Sequence, residues 1–250
     1  MRIELFFTPN EVKEEELKNQ TVLVIDVLRA STTIAYALHN GCKGIIPANT
    51  IDGAIELSKK IGRDSAFLCG EREGIKIEGF DLGNSPFEYE GEKIKDKTLI
   101  FATTNGSKAI VKSSSANSLV VGSLVNFQST FKYISSSLNN LAIICSGKLD
   151  QFAIEDAVCG GLYVSAFLSE FGSAGKEGEY ELNDAAFAAL KLYEVYKNNL
   201  LEMLKKSSHG RYLIELGFEK DLYICAELNS LKVVPVLNQG RLVSYGENSL

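Results

Sequence analysis

An aspartate, an arginine and three hydroxyl residues follow one another closely in Thr21-Val-Leu-Val-Ile-Asp26-Val-Leu-Arg29-Ala-Ser31-Thr32-Thr33. A carboxylate at the end of an apolar run can hold a hard, oxygen-seeking cation such as Mg²⁺. An arginine and the open N–H groups of a helix start can hold an anion. Cation and anion side by side is what phosphoryl chemistry requires. Ser31, Thr32 and Thr33 are poor choices for helix stability alone, because their side chains compete for backbone hydrogen bonds. They suit donors to phosphate oxygens. A plainer alternative stays open, in which Asp26 caps the helix and Arg29 pairs with a surface carboxylate.

Four further segments could carry chemistry. Cys69-Gly70-Glu71-Arg72-Glu73-Gly74 leads to Gly79-Phe-Asp81-Leu-Gly-Asn84-Ser-Pro86. It reads either as a surface loop with an Asn84-Ser85-Pro86 turn, or as the place where Arg72 forks onto a second anionic group. A turn explains Asn84 but not Arg72 or Asp81. Phe101-Ala-Thr103-Thr104-Asn105-Gly106-Ser107-Lys108 is a second strand-to-helix junction rich in hydroxyl and amide donors, with a capping turn as its alternative. Two such junctions suggest one shared pocket. Ile144-Cys145-Ser146-Gly147, followed by Glu155-Asp156 at a helix start, offers a metal ligand or a general base, although helix dipoles alone favour acids there. Ser207-Ser208-His209-Gly210-Arg211 contains one of two histidines. His209 at a helix start can donate to an anion or act as a general acid, or sit in a capping turn. His39, late in an apolar helix, reads as a helix C-terminal residue.

The elements that must position these groups alternate as strand, loop and helix. The pattern predicts an α/β fold, a three-layer α/β/α arrangement with a mostly parallel sheet and a helical C-terminal part. Strands are expected at Arg2–Phe7, Val22–Ile25, Gly44–Ile46, Ala66–Leu68, Thr98–Ala102, Ser118–Val121 and Leu141–Cys145. Several are continuous apolar runs, as in a sheet covered on both faces. Helices are expected at Thr32–Asn40, Ile51–Ile61, Ser107–Val111, Asn126–Leu138 and Glu155–Leu168, with Gly41 and Gly62 ending two of them. Ligands of open α/β sheets bind outside the carboxyl ends of the strands, where Asp26 and Thr103 would stand. After Phe171, residues 172–179 read as a flexible connection. Asn183-Asp184 then caps a long helix to about Lys206, and Ser207 opens another that stops at Gly217. A strand pair near Tyr223–Ala226 and Val233–Val236 closes the chain. Residues 1–250 read as one domain, with a two-lobed division near Gly172 as the alternative.

Composition narrows the function classes. The 250 residues carry 26 Lys and Arg against 32 Asp and Glu, a net charge of −6 without a basic patch, which argues against a nucleic-acid partner. Mean hydropathy is near zero, no apolar run approaches the roughly 20 residues of a membrane helix, and the N-terminus lacks a signal-peptide pattern. A cytoplasmic protein with no membrane partner is expected. The five cysteines are widely spaced without a CxxC pair, so neither structural zinc nor a disulfide framework is expected. An exposed apolar face at Ala185–Leu190 could serve a homodimer. There is no G-x-x-x-x-G-K-[ST] loop, H-E-x-x-H or G-x-S-x-G elbow. Leu28 stands where the Asp-x-Asp-x-Thr pattern of haloacid-dehalogenase-type phosphatases has its second Asp.

Taken together in order, Asp26-Val-Leu-Arg29-Ala-Ser-Thr-Thr33, Gly70-Glu-Arg72, Gly79-Phe-Asp81-Leu-Gly-Asn84-Ser-Pro86, Thr103-Thr-Asn-Gly106 and Glu155-Asp156 resemble the motif series of the 2-phosphosulfolactate phosphatase (ComB-like) family. Ser208-His209-Gly210 and Cys225 fall where that family's C-terminal pattern would put them, and the likeness spans nearly the whole chain. The resemblance implies a Mg²⁺-dependent hydrolase that converts 2-phospho-3-sulfolactate to 3-sulfolactate and phosphate, a coenzyme M biosynthesis-type reaction. The substrate is then a small anion bearing phosphate, sulfonate and carboxylate. On this reading Asp26, with Glu155 or Asp156, holds Mg²⁺. Arg29, Ser31, Thr32 and Thr33 bind the phosphoryl oxygens, and Arg72 with the Thr103-Thr104-Asn105-Gly106 turn takes the sulfonate and carboxylate. His209 serves the leaving alkoxide, while Asp81, Asn84 and Ser146 complete the substrate-binding set. The alternatives are a phosphatase for another small phosphorylated hydroxy acid, or a non-catalytic anion-binding module.

Overall fold

The fold is that of a computed structural model describing residues 1–137, 139–171 and 180–246. Its strands are β1 Arg2–Phe6, β2 Thr21–Ile25, β3 Gly44–Pro47, β4 Ala66–Arg72, β5 Ile75–Lys76, β6 Thr98–Ala102, β7 Ser118–Gly122, β8 Leu141–Cys145, β9 Glu181–Leu182, β10 Pro235–Asn238 and β11 Arg241–Ser244. They form one sheet in the order β5-β4-β6-β3-β11-β10-β7-β2-β8-β1-β9. The helices are α1 Glu14–Leu17, α2 Ala30–His39, α3 Ile51–Ile61, α4 Gly91–Ile94, α5 Gly106–Lys112, α6 Phe127–Ser135, α7 Ile154–Phe171, α8 Asp184–Tyr196, α9 Leu200–Lys206, α10 Ser208–Glu215 and α11 Glu219–Cys225. Two parallel blocks, β4-β6-β3 and β7-β2-β8-β1-β9, make the sheet mostly parallel. Helices cover both of its faces, giving the three-layer α/β/α arrangement.

Strand periodicity decides where the core lies, since successive side chains point to opposite faces. In β2, Leu23 and Ile25 enter a core shared with α7 and α8, while Val22 and Val24 enter one shared with α2 and α5. In β8, Leu141, Ile143 and Cys145 divide from Ala142 and Ile144 in the same way. Leu99 and Phe101 of β6 join the α2–α5 core, and Ile100 and Ala102 pack with Ala54 of α3 in a third cluster. Each fully buried Leu, Ile or Val contributes about 1.5–3 kcal/mol. These alternating pairs therefore fix the register of the strands that end at the site.

The α2–α5 core draws on both parallel blocks, which places those two helices between them. From β3 to β7 the ladder crosses three antiparallel junctions, so the blocks run in opposite senses along it. The carboxyl ends of β4 and β6 nonetheless meet those of β2 and β8, because residues 71 and 104 share a cavity with residues 26 and 148. At the other edge β9 is two residues long, and Asn183 extends the pairing with its side chain. Its amide accepts from the Leu5 N–H at 3.0 Å, donates to the Leu5 carbonyl at 2.9 Å and also caps α8.

The C-terminal part differs from expectation in two places. Tyr223–Ala226 is not a strand: Tyr223, Ile224 and Cys225 belong to α11, because Leu222 and Cys225, three apart, bury one helical face. The strand pair is instead β10 with β11 around Gln239-Gly240, both at positive φ (49° and 77°), and it lies in the middle of the sheet. The long helix expected to Lys206 is two helices, α8 and α9, parted at Lys197-Asn198-Asn199, where the paired asparagines are weak helix formers. Leu138, residues 172–179 and the division placed near Gly172 lie outside the described residues. Among those described, no helix is long and apolar enough to cross a membrane.

Candidate active site

Loops after β2, β4, β6 and β8 converge with the start of α10 on a cavity of about 260 Å³. Asp26, directly after β2, lies on its wall with 6% exposure. Its Oδ1 accepts the Ala30 N–H at 3.2 Å, its own N–H donates to Ser31 Oγ at 2.8 Å, and its carbonyl accepts the Ser31 N–H at 2.9 Å. Among the described residues no donor engages Oδ2. Burial raises the Asp26 carboxyl to about 6, against lowering by His209 and the Ala30 N–H, with Glu71 and Glu155 pushing further up.

Gly106 allows this approach. A Cβ there would lie 2.6 Å from Ala30 Cβ and 2.7 Å from Asp26 Oδ2, so the start of α5 can sit against the carboxylate only as glycine. Gly70 does the same job between strands: it has φ +143°, and a Cβ would lie 2.0 Å from the Ala102 carbonyl oxygen.

Arg29 also lines the cavity, but it is already engaged. Its Nη1 lies 2.6 Å from Asp221 Oδ2, its Nη2 donates to the Gly74 carbonyl at 2.7 Å, and its guanidinium stacks 4.4 Å from the Phe218 ring centre. Ser85 Oγ donates to the other Asp221 oxygen at 2.8 Å, and Thr33 Oγ1 donates to the Asn84 carbonyl at 2.8 Å. The hydroxyl row is therefore spent largely inside the protein, with Ser31 on Asp26 and Thr33 on Asn84. Thr32 donates to the Val27 carbonyl at 3.0 Å and lies 2.8 Å from Ser123 Oγ.

The structure brings Asp26, Arg29, Asn84, Thr104, Asn105 and His209 onto this one cavity. Asn84 is one of its lining residues, and the Asn84 Oδ1 is buried without a hydrogen-bond partner. Asn105 Oδ1 accepts the Leu149 N–H at 3.1 Å, which ties the β6 and β8 loops together. His209 Nδ1 lies 3.1 Å from Glu155 Oε1, and both line an adjoining cavity of about 230 Å³.

The remaining expected residues line neither cavity. Asp156 stands behind Asp26 as a staple, its oxygens accepting the N–H groups of Val27 at 2.8 Å and Gly147 at 3.1 Å. Burial, then Asp26 and Glu155, pushes its carboxyl well above the usual range. Thr103 pairs with Ser107 at 3.1 Å, and the Ser146 N–H extends the ladder to the Ile25 carbonyl at 2.8 Å while its hydroxyl is buried without a partner. Arg72 donates to the carbonyls of Glu71 at 2.7 Å and Ala102 at 3.1 Å. Asp81 pairs with Arg63 at 3.1 Å and accepts the Leu68 N–H at 2.7 Å.

Several lining residues were not singled out in the sequence, Glu71 and Lys148 among them. Glu71 lines the cavity and holds the β6 loop, accepting the N–H groups of Thr104 at 2.7 Å and Gly74 at 2.8 Å and the Thr104 hydroxyl at 3.1 Å. The signal was parity: β4 runs on to Arg72, so Glu71 and Arg72 face opposite sides. Lys148, in the turn after β8, lines both cavities, and its signal was a lysine beside Gly147 at a strand's carboxyl end.

Among the described residues no three His, Cys, Asp or Glu side chains converge as a preformed metal site. Mg²⁺ does not require one, since it commonly takes one or two carboxylates and keeps several waters. Asp26 Oδ2, a hard oxygen donor without a hydrogen bond among the described residues, fits such an ion, and the orphaned Asn84 Oδ1 belongs to a residue of the same cavity.

The sequence of residues 6–240 matches the family described as 2-phosphosulpholactate phosphatase. A protein of Caldanaerobacter subterraneus subsp. tengcongensis is 40% identical over 240 residues, covering 96% of this chain and 97% of that one. One from Carboxydothermus hydrogenoformans is 42% identical over 245 residues, covering 97% of both. One from Clostridium acetobutylicum is 37% identical over 243 residues, covering 97% of this chain and all of that one. All three bear the name "Probable 2-phosphosulfolactate phosphatase".

Proposed function

The chain belongs to the 2-phosphosulfolactate phosphatase family, and from that premise we propose that it is a Mg²⁺-dependent phosphoric monoester hydrolase. Its substrate on this reading is 2-phospho-3-sulfolactate, released as 3-sulfolactate and phosphate in a coenzyme M biosynthesis-type reaction. The observation that carries the proposal is the gathering of Asp26, Asn84, Thr104 and His209 on one cavity at the carboxyl ends of the strands.

Asp26 would hold Mg²⁺ through Oδ2, with the Asn84 amide of the same cavity as a second oxygen donor and Glu155 adding negative charge nearby. The chemistry Mg²⁺ would supply there is neutralisation of charge on the phosphoryl oxygens. Arg29, fixed by Asp221 and Gly74, presents a guanidinium that does not have to be ordered when the anion arrives. With Nδ1 turned to Glu155, His209 keeps Nε2 to deliver a proton to the leaving alkoxide as the P–O bond breaks.

The test is phosphate release from 2-phospho-3-sulfolactate with Mg²⁺ and with chelator. Release that requires the metal is expected. Binding without release at saturating Mg²⁺ would reject the catalytic reading, and faster release from another phosphorylated hydroxy acid would replace the substrate.

A further inference from the structure

The two cavities meet at Lys148 and His209, which line both. Basic groups on and near these walls are mostly spoken for. Arg29 pairs with Asp221 at 2.6 Å, and His209 lies 3.1 Å from Glu155. Arg72, expected to take the sulfonate, donates to two backbone carbonyls and lines neither cavity.

Lys148 is different. Its Nζ lies 4.4 Å from the centre of the Tyr212 ring, and among the described residues it makes no hydrogen bond or ion pair with any carboxylate. Burial pulls its pKa below the ordinary value, against the pull of Glu155 and Glu215. Arg211 adds to the lowering, and the side chain stays partly exposed. An aromatic face steadies a cation but leaves its N–H groups free to donate. The backbone is held too, because Lys148 and Gln151 exchange N–H to carbonyl hydrogen bonds of 2.9 and 3.0 Å. The adjacent Leu149 N–H is anchored on Asn105 at 3.1 Å.

We propose that Lys148 binds the anionic substituent of the leaving group, so that the acid end of the ester reaches toward the second cavity while the phosphoryl end stays beside Asp26. The inference rests on the phosphatase reading and adds its specificity: Lys148 selects phosphomonoesters that carry a further carboxylate or sulfonate. A single ammonium placed between the cavities suits either group, because it acts as a point charge with rotatable donors and not as a planar fork.

The test compares kcat/KM of the wild type, Lys148→Gln and Lys148→Arg on 2-phospho-3-sulfolactate, 2-phospholactate and 2-phosphoglycerol. These carry both acid groups, a carboxylate alone, and neither. In Lys148→Gln the preference for the doubly acidic ester over 2-phosphoglycerol should fall about tenfold or more, through KM, the scale of one lost charge-assisted hydrogen bond. Lys148→Arg should restore much of it. A matching fall for 2-phospholactate identifies the carboxylate as the group read; a preserved 2-phospholactate preference identifies the sulfonate. An unchanged preference for both acids overturns the proposal. Calorimetric binding of 3-sulfolactate separates this outcome from failure of the phosphatase reading, because it needs no turnover. Equal affinity in wild type and Lys148→Gln would overturn the proposal even if no ester were hydrolysed.

Discussion

Asp26 is buried as if it were a core residue, yet one of its oxygens is left open to the cavity. The burial that raises its carboxyl to about 6 makes its charge costly in the metal-free protein. An unfolded aspartate titrates near 3.8, so the folded state takes up a proton that the unfolded chain lacks as pH falls from above 6 toward 4. With respect to this group, stability is therefore greatest below about pH 4 and is lost as pH rises through 6, by on the order of 3 kcal/mol. Asp26→Asn should remove that dependence. In chelator, the variant should exceed the wild type in denaturation midpoint at pH 7.5 and lose the advantage at pH 4; a difference independent of pH would refute the raised carboxyl. The same variant should lose phosphate release by about a hundredfold or more, as expected when a metal-holding group is removed. Gly106→Ala tests the neighbouring contact without altering charge. Its methyl group would push on Asp26 and Ala30, so turnover should fall well beyond the roughly 1–3 kcal/mol effect of overpacking on stability. Normal turnover in that variant would show that Asp26 can shift without consequence.

Elements far apart in the chain are locked at the site by buried polar ties, and one of them joins α11 to the start of α2. Asp221 and Arg29 are 2% exposed and meet at 2.6 Å. Removing one partner strands a buried charge, so Asp221→Ala should cost about 3–5 kcal/mol in denaturant unfolding. A loss under 1 kcal/mol would show the pair to be solvated. This tie was invisible in the sequence, where Asp221 is one acid among many in the helical tail. What was legible were the elements whose pattern is local: Ile51–Ile61, with Thr50 capping and Gly62 at φ +99°, and the apolar runs Thr98–Ala102 and Leu141–Cys145. Tyr223–Ala226 was misread because aromatic and β-branched residues suit strands, while the buried Leu222 and Cys225 decide for a helix only in the tertiary setting. At the site, Asp26, Arg29 and His209 stood out as polar residues at element ends. Glu71 did not, because its facing depends on β4 continuing past Leu68, a boundary that the Gly-rich sequence obscures.

At the scale of the molecule, the two parallel blocks meet through the β10–β11 hairpin, with Val236 paired to Val120 and Leu242 to Ile45. Without residues 235–246, β3 and β7 would each present an unpaired edge, and such edges recruit other chains. A chain shortened before Pro235 should elute as large assemblies or precipitate; a soluble, monomeric product with native far-ultraviolet dichroism would show that the α2–α5 core alone holds the blocks together. The hairpin also sets an order of events in the cell. Translation delivers it last among the described strands, so a polypeptide still on the ribosome has both halves of its sheet and most of its catalytic loops before it has the piece that seals them. During that interval the growing chain depends on chaperones or on speed to keep its open rims from meeting those of its neighbours.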